Sequence, residues 1–283
     1  MEATDDTTSQ DSLVGVGAGG KWKFFASSSK KSKGSGSSST KKLTPSDELW
    51  PKDLPSTYTE YIKSCNKILR AAMHQGKMDF CWAVAIARCI EAWLALRGVV
   101  VELSPQHLIN NIKNMCETSG KIGKYDEIKK FLTEHGLVLE KTCPYSGKLK
   151  QICPKSCENC VSDEPAFKIR NLVHKKDKQV KEEELIQLVN DGPLLAVIDI
   201  YESFKECKDE IYQGQTNRKD KGAGLHVVLV TGFGTTPEGV NYWEIQNSWG
   251  TGWGQNGFGK IIRKSSRGKN KPSMFVETIQ LVV

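Results

Sequence analysis

The run Phe80-Cys81-Trp82-Ala83-Val84-Ala85-Ile86-Ala87-Arg88-Cys89-Ile90-Glu91-Ala92-Trp93-Leu94-Ala95-Leu96 constrains the fold more than any other part of the chain. It is rich in Ala and Leu, which favour helix, and Gly98 supplies a stop just beyond it. Its apolar residues fall on nearly every face, so a helix built from it must sit centrally, wrapped by the rest of the molecule. Arg88 and Glu91 interrupt it, whereas a membrane-spanning helix needs about 20 almost uninterrupted apolar residues, so the run reads as a core helix.

Around that helix the chain divides by composition. Ser27 to Thr40 holds eight Ser, three Lys, two Gly and one Thr, too little apolar surface to offset the entropy of ordering. Residues 1–44 therefore read as a disordered Ser/Lys/Gly-rich tail. Within it, Gly15 to Gly20 matches the dinucleotide fingerprint G-x-G-x-x-G by letter, but no strand precedes it and no acid sits about 20 residues on, so it is assigned to flexible linker. Residues 45–283 have ordinary globular character. Ser104 to Lys113, with Ser104 as N-cap and Pro105 in the first turn, and Tyr125 to Glu134, ended by His135-Gly136, read as helices. Leu194–Ile200, Leu225–Thr231, Tyr242–Gln246 and Phe258–Ile262 are short β-branched or aromatic runs between turn residues and read as strands. Helices first and strands later indicate an α+β fold, with a helical half over about 60–160 and a β-rich half over about 161–283.

The net charge of +7 is mild, and seven Lys against four acids fall in residues 1–44, so the body of the chain gives no electrostatic case for nucleic acid. The first ten residues lack a hydrophobic segment behind a basic start, which points to a cytoplasmic location, with vacuole, lysosome or export as the alternatives if a signal lies upstream. Nine cysteines is an odd number, so one is left over even if all others pair. Cys143, Cys153, Cys157 and Cys160 form a local C-x9-C-x3-C-x2-C cluster; disulfides, free thiols and zinc all stay open, but the spacing is not that of paired C-x2-C knuckles and no metal site is assigned.

Cys81 opens the buried helix, where unpaired backbone N–H groups and the macrodipole favour a thiolate. Most cysteines on an apolar helix are inert, which is the reading for Cys89, so Cys81 gains meaning only with a base. His226 lies inside a predicted strand, and Gln246-Asn247-Ser248-Trp249-Gly250 supplies an Asn amide able to hold an imidazole in one tautomer beside a packing Trp.

At these residues the chain resembles the papain family of cysteine peptidases. Gln75-Gly76-x4-Cys81-Trp82 is similar to the family's nucleophile block, Leu103-Ser104-Pro105-Gln106 to its L-S-x-Q helix start and Cys143-Pro144-Tyr145 to its Y-P-Y turn. Asn247-Ser248-Trp249-Gly250-x2-Trp253-Gly254-x2-Gly257 resembles its Asn block. The resemblance implies a papain-like fold with the active-site cleft between the two halves. It makes Cys81 the nucleophile, His226 the general base and then acid, Asn247 the group that orients His226, and Gln75 an oxyanion donor together with the Cys81 N–H. It also implies that Trp249 shields the His–Asn bond, that Gly123 pairs with an extended substrate, and that Asp79 and Phe80 border the substrate beside the nucleophile. The expected partner is a polypeptide or peptide acted on by a monomer, with no cofactor, nucleic acid or membrane.

The departures from the family pattern concern oxidation and restraint. Met78-Asp79-Phe80 stands where the family has a disulfide cysteine and small residues, Asn111 replaces another cysteine, and Ile122-Gly123 replaces a glycine pair. Residues 1–44 do not resemble the family's inhibitory propeptide, and its Asp-Trp-Arg near the mature N-terminus is missing. An intracellular branch, the bleomycin-hydrolase type, shares the first of these losses. Two alternatives follow: a catalytically silent papain-like protein that holds peptides, and, more remotely, a zinc-loop protein associated with nucleic acid, which leaves the Gln, Cys, His and Asn blocks without a reason.

Overall fold

The computed structural model describes residues 69–149, 166–176, 181–263 and 274–283. The tail at 1–44, the Gly15 to Gly20 segment, and Cys153, Cys157 and Cys160 of the cysteine cluster lie outside them. The elements run α1 (Cys81–Ala95), α2 (Pro105–Asn111), α3 (Asp126–Glu134), β1 (Asn171–Lys176), α4 (Glu182–Asp191) and β2 (Leu194–Tyr201). A 3-10 turn (Glu202–Glu206), β3 (Ile211–Tyr212), β4 (Gly222–Thr235), β5 (Asn241–Gln246), β6 (Phe258–Ile262) and β7 (Phe275–Val282) follow. The strands form one sheet in the order β1-β7-β2-β4-β5-β6-β3, antiparallel except for the β3–β6 pair.

Helix α1 is the centre of the helical side, as its sequence requires: eleven of its 15 residues are buried. Its buried acid, Glu91, is held by Arg88 Nη1 (2.7 Å) and by the backbone N–H of Leu103 (2.7 Å), which ties the chain leading into α2 to the core helix. Removing one partner would strand a buried charge. Ser104 caps α2 by accepting from His107 N–H (2.9 Å), and the helix ends at Asn111, two residues short of the expected Lys113, because Ile112 turns extended (φ −90°, ψ 123°).

The sheet is buried on both faces. On β2 and β4, Leu195, Val197, Val227 and Leu229 join α1, α2 and α3 in one core, while Ala196, Ile198, Val228 and Val230 join Leu185 and Val189 of α4 in the other. This period-two division explains why these strands read as unbroken apolar runs. Strand β4 extends well beyond the expected Leu225–Thr231 because its flanking glycines are accommodated by a register shift between Val230 and Gly232 rather than ending the strand. Strands β1, β3 and β7 and helix α4 had no counterpart in the sequence reading. Cys143 is disulfide-bonded, which settles its state against a free thiol or a metal ligand.

One buried histidine makes the helical side sensitive to acid. His107 on α2 is 3 % exposed, its ring lies 5.3 Å from that of Phe131, and its Nδ1 has no hydrogen-bond partner among the described residues. Burial, then the nearby His135, pushes its pKa down to about 4. The folded state thus binds fewer protons than the unfolded chain, so stability falls as pH drops below about 6.5 and the loss is complete near pH 4. The loss from this one group is about 3 kcal/mol. Urea unfolding at pH 7 and pH 4 is expected to show His107→Leu losing less stability between the two conditions than wild type by about that amount. Equal losses in the two proteins would assign the acid sensitivity elsewhere.

Candidate active site

The segment before α1 buries Gln75 and Phe80 and leaves Gly76, Lys77 and Asp79 exposed. Phe80 is fully buried and sits directly beneath Gly120, where no side chain would fit and where φ is +80°. This corrects the expectation that Phe80 borders the substrate: its ring belongs to the core of the helical side, and a cleft contact would require pulling it out. Asp79 is exposed and forms no ion pair among the described residues. Two hydrogen bonds tie the loop at 115–122 to the nucleophile segment, Asp79 N–H to Ser119 O (2.7 Å) and Trp82 Nε1–H to Gly120 O (2.9 Å). Gly123, just past this loop, is exposed with open space above its Cα.

Gln75 is clamped from three sides. Its backbone N–H donates to Ser248 O (2.7 Å), its carbonyl accepts from Tyr145 Oη (2.7 Å), and its side-chain Oε1 accepts from Ser248 Oγ (2.6 Å). Its Nε2 donates to Met78 O (2.8 Å), which uses one of two amide hydrogens and leaves the other. Tyr145 is itself positioned by Glu140 Oε1 on its N–H (2.6 Å), and Gln106 Oε1 accepts from Ser146 N–H and Oγ at 3.1 and 3.0 Å. Ser104 Oγ donates to Cys143 O. The four sequence blocks therefore meet as one hydrogen-bonded assembly. Ser248 and Tyr145 were missed as positioning groups, because a Ser inside the Asn block and a Tyr in a turn carry no chemical signal without knowledge of what they face.

His226 stands on β4 opposite Ile198 of β2, and shares the parity of Val228 and Val230, so its ring turns to the aromatic side of the sheet. Its Nε2 lies 2.7 Å from Asn247 Oδ1. The same Oδ1 accepts from Ser248 N–H at 2.7 Å, which fixes the amide orientation. His226 Nε2 must then carry the proton, leaving Nδ1 as the basic nitrogen. Trp249 covers the imidazole with ring centroids 4.8 Å apart, and Phe204 packs beside both, 6.1 Å from the imidazole and 5.5 Å from the Trp249 ring. Phe204, which nothing in the sequence singles out, is set by Trp253 Nε1–H donating to its carbonyl (2.9 Å).

The thiol meets opposing influences. Cys81 is 7 % exposed, and burial pushes its pKa up. The backbone N–H of Val227, the residue after His226, pulls it down, the Asp79 carboxylate pushes it up, and the N–H groups of Trp82 and Cys81 pull it down again, with a balance near 11. The helix start does favour the thiolate, as expected, but desolvation outweighs it. Burial also holds His226 down at about 4 against the Asn247 hydrogen bond. Cys89, by contrast, is a fully buried thiol directed at Pro193 O. No group of three or more metal-ligating side chains is gathered among the described residues.

Comparison with known proteins places this geometry in context. A model of the papain family of cysteine proteases matches residues 57–277. Cathepsin B-like CP3 of Giardia intestinalis is 28 % identical over 199 residues, covering 68 % of this chain and 64 % of its own length. Cathepsin R of Mus musculus is 33 % identical over 196 residues, 67 % of this chain and 55 % of its own. The chain thus spans only about half to two thirds of these relatives. Among solved structures, the bromelain protease of Ananas comosus in complex with E64 superposes with a TM-score of 0.64 at 19 % identity, covering 81 % of this chain and 100 % of that one. A Carica candamarcensis cysteine protease in complex with E-64 gives 0.63 at 20 %, over 81 % and 99 %. Both share the α+β arrangement of helices and mixed sheet described above, and with the family model spanning most of its length the chain belongs to the papain family of cysteine proteases.

Proposed function

We propose that this chain hydrolyses peptide bonds through Cys81, His226, Asn247 and Gln75. The observation that carries the reading is the tautomer: Asn247 Oδ1, oriented by Ser248 N–H, holds the His226 proton on Nε2, so Nδ1 is free to accept another on the strand whose next N–H reaches Cys81 Sγ. Amide carbonyls are poor electrophiles, and attack needs a nucleophile, a base and preorganised donors together.

In the reaction, Cys81 Sγ attacks the carbonyl carbon as its proton passes to His226 Nδ1. The oxygen that gains charge is held by the Cys81 N–H and the remaining Nε2–H of Gln75. As the C–N bond breaks, His226 returns the proton to the leaving amine. A water then loses a proton to His226 and attacks the thioester, and the departing sulfur is reprotonated as the acid leaves. Trp249 and Phe204 keep water from the His226–Asn247 bond throughout.

Cys81→Ala and His226→Ala are expected to abolish turnover of a peptide library while leaving the thermal midpoint close to that of wild type, and Asn247→Ala is expected to do less harm. Gln75→Ala should lower kcat by about 10²-fold or more, the scale for losing one oxyanion donor. Turnover by Cys81→Ala near the wild-type rate would refute the proposal. Covalent labelling of Cys81 by an epoxysuccinyl peptide separates the enzyme from a silent peptide-binding relative.

The protonation state of the thiol has its own signature. Alkylation of Cys81 by iodoacetamide, followed by mass spectrometry of the labelled peptide, is expected to rise with pH toward the thiol's value of about 11. A plateau from pH 4 to 8 would instead reveal a resting thiolate–imidazolium pair.

A further inference from the structure

The proposed chemistry leaves unused the carboxylate nearest to it in the chain. Asp79 lies two residues before the nucleophile, and three features fix where its side chain goes. Its N–H is bonded to Ser119 O (2.7 Å), the adjacent Phe80 N–H bonds back to Met78 O (2.8 Å), and the Phe80 ring is locked beneath Gly120. With Phe80 turned wholly inward, Asp79 is turned outward, and it is exposed. The nearby Lys77, Lys121 and Lys124 are exposed too, yet none of them pairs with it, so the carboxylate is left without a cation among the described residues. Its charge is nonetheless felt at Cys81 Sγ.

The two sides of the site differ in what they offer a bound peptide. The oxyanion donors, Gln75 and the Cys81 N–H, belong to the segment 75–81, and the proton donor for the leaving amine, His226, belongs to β4. The residue whose carbonyl is attacked must therefore lie along segment 75–81, with its side chain near Asp79, while the leaving residue lies toward His226. We infer that Asp79 is a specificity-determining residue that selects Lys or Arg at the position contributing the attacked carbonyl. The inference rests on the peptidase reading above. A guanidinium suits the site best, since its planar fork can take both oxygens of an exposed carboxylate.

The test uses the full chain and matched fluorogenic peptides that differ only at that residue: Arg, Lys, norleucine or Glu. Wild type is expected to cleave the Arg peptide with a kcat/KM about 3- to 10-fold above the norleucine peptide, the advantage shrinking in high salt. Within Asp79→Asn the ratio should fall to about twofold or less, and within Asp79→Lys the Glu peptide should overtake the Arg peptide. In parallel, Cys81 modification by a cationic and an anionic methanethiosulfonate, read by mass spectrometry, reports the local charge without needing turnover. The cationic reagent should lead in wild type and lose its lead in Asp79→Asn. An Arg preference that survives Asp79→Asn, or neutral peptides cleaved by wild type with no Arg preference, overturns the inference. If wild type cleaves none of the peptides while the reagent ratio still depends on Asp79, the fault lies in the peptidase reading and the inference falls with its premise.

Discussion

A helix with no polar face sets the terms for everything around it. Because α1 must be enclosed, it is covered by α2 and α3 and by one face of the sheet, and its first residue, Cys81, is enclosed with it. The proposed nucleophile is thereby placed where water is scarce. That placement raises the thiol's pKa, yet it also strengthens the dipoles aimed at it.

The second consequence is that the proposed oxyanion side has to be built from the outside inward. Gln75 precedes the helix and gains its position from residues far along the chain, Tyr145 at a separation of 70 residues and Ser248 at 173. Each neutral hydrogen bond of this kind contributes only about 1 kcal/mol. Their value lies in geometry: Ser248 occupies Gln75 Oε1 and Met78 O takes one amide hydrogen, so the other hydrogen is directed by elimination. Ser248 also orients Asn247 through its own N–H, so one residue fixes both the oxyanion donor and the histidine's partner.

How much of this could be read from the sequence depends on whether the controlling interaction was local. The span of α1 came from composition, the Ser104 cap from one residue and its turn, and the apolar runs of β2 and β4 from burial on both faces. Cys81, His226, Asn247 and Gln75 carried chemical signals in their types and neighbours. The failures are non-local. Asp79 and Phe80 are adjacent polar and apolar residues before a helix, and the hollow at Gly120, 40 residues away, decides that Phe80 turns into the core. Strands β1 and β7 exist largely through pairing with each other, from Asn171 opposite Val282 to Lys176 opposite Glu277, which neither segment announces alone. At Cys81 the helix start is visible in sequence, whereas the burial that opposes it is a property of the assembled core.

In the proposed reaction the histidine reconciles a buried, poorly acidic thiol with thiol chemistry, because burial penalises an isolated charge on either partner. The negative charge would pass from sulfur onto the substrate oxygen, where the proposed donors are already in place. The positive charge on His226 is then stabilised by Asn247 Oδ1, which accepts from Nε2 in either protonation state and so needs no rearrangement as the proton arrives at Nδ1. Trp249 and Phe204 pack together against one side of the ring. A carboxylate in place of Asn247 would bind the imidazolium more tightly and raise its pKa, which would make the proton harder to release to the leaving group. The neutral amide is the partner that orients the base without trapping its proton.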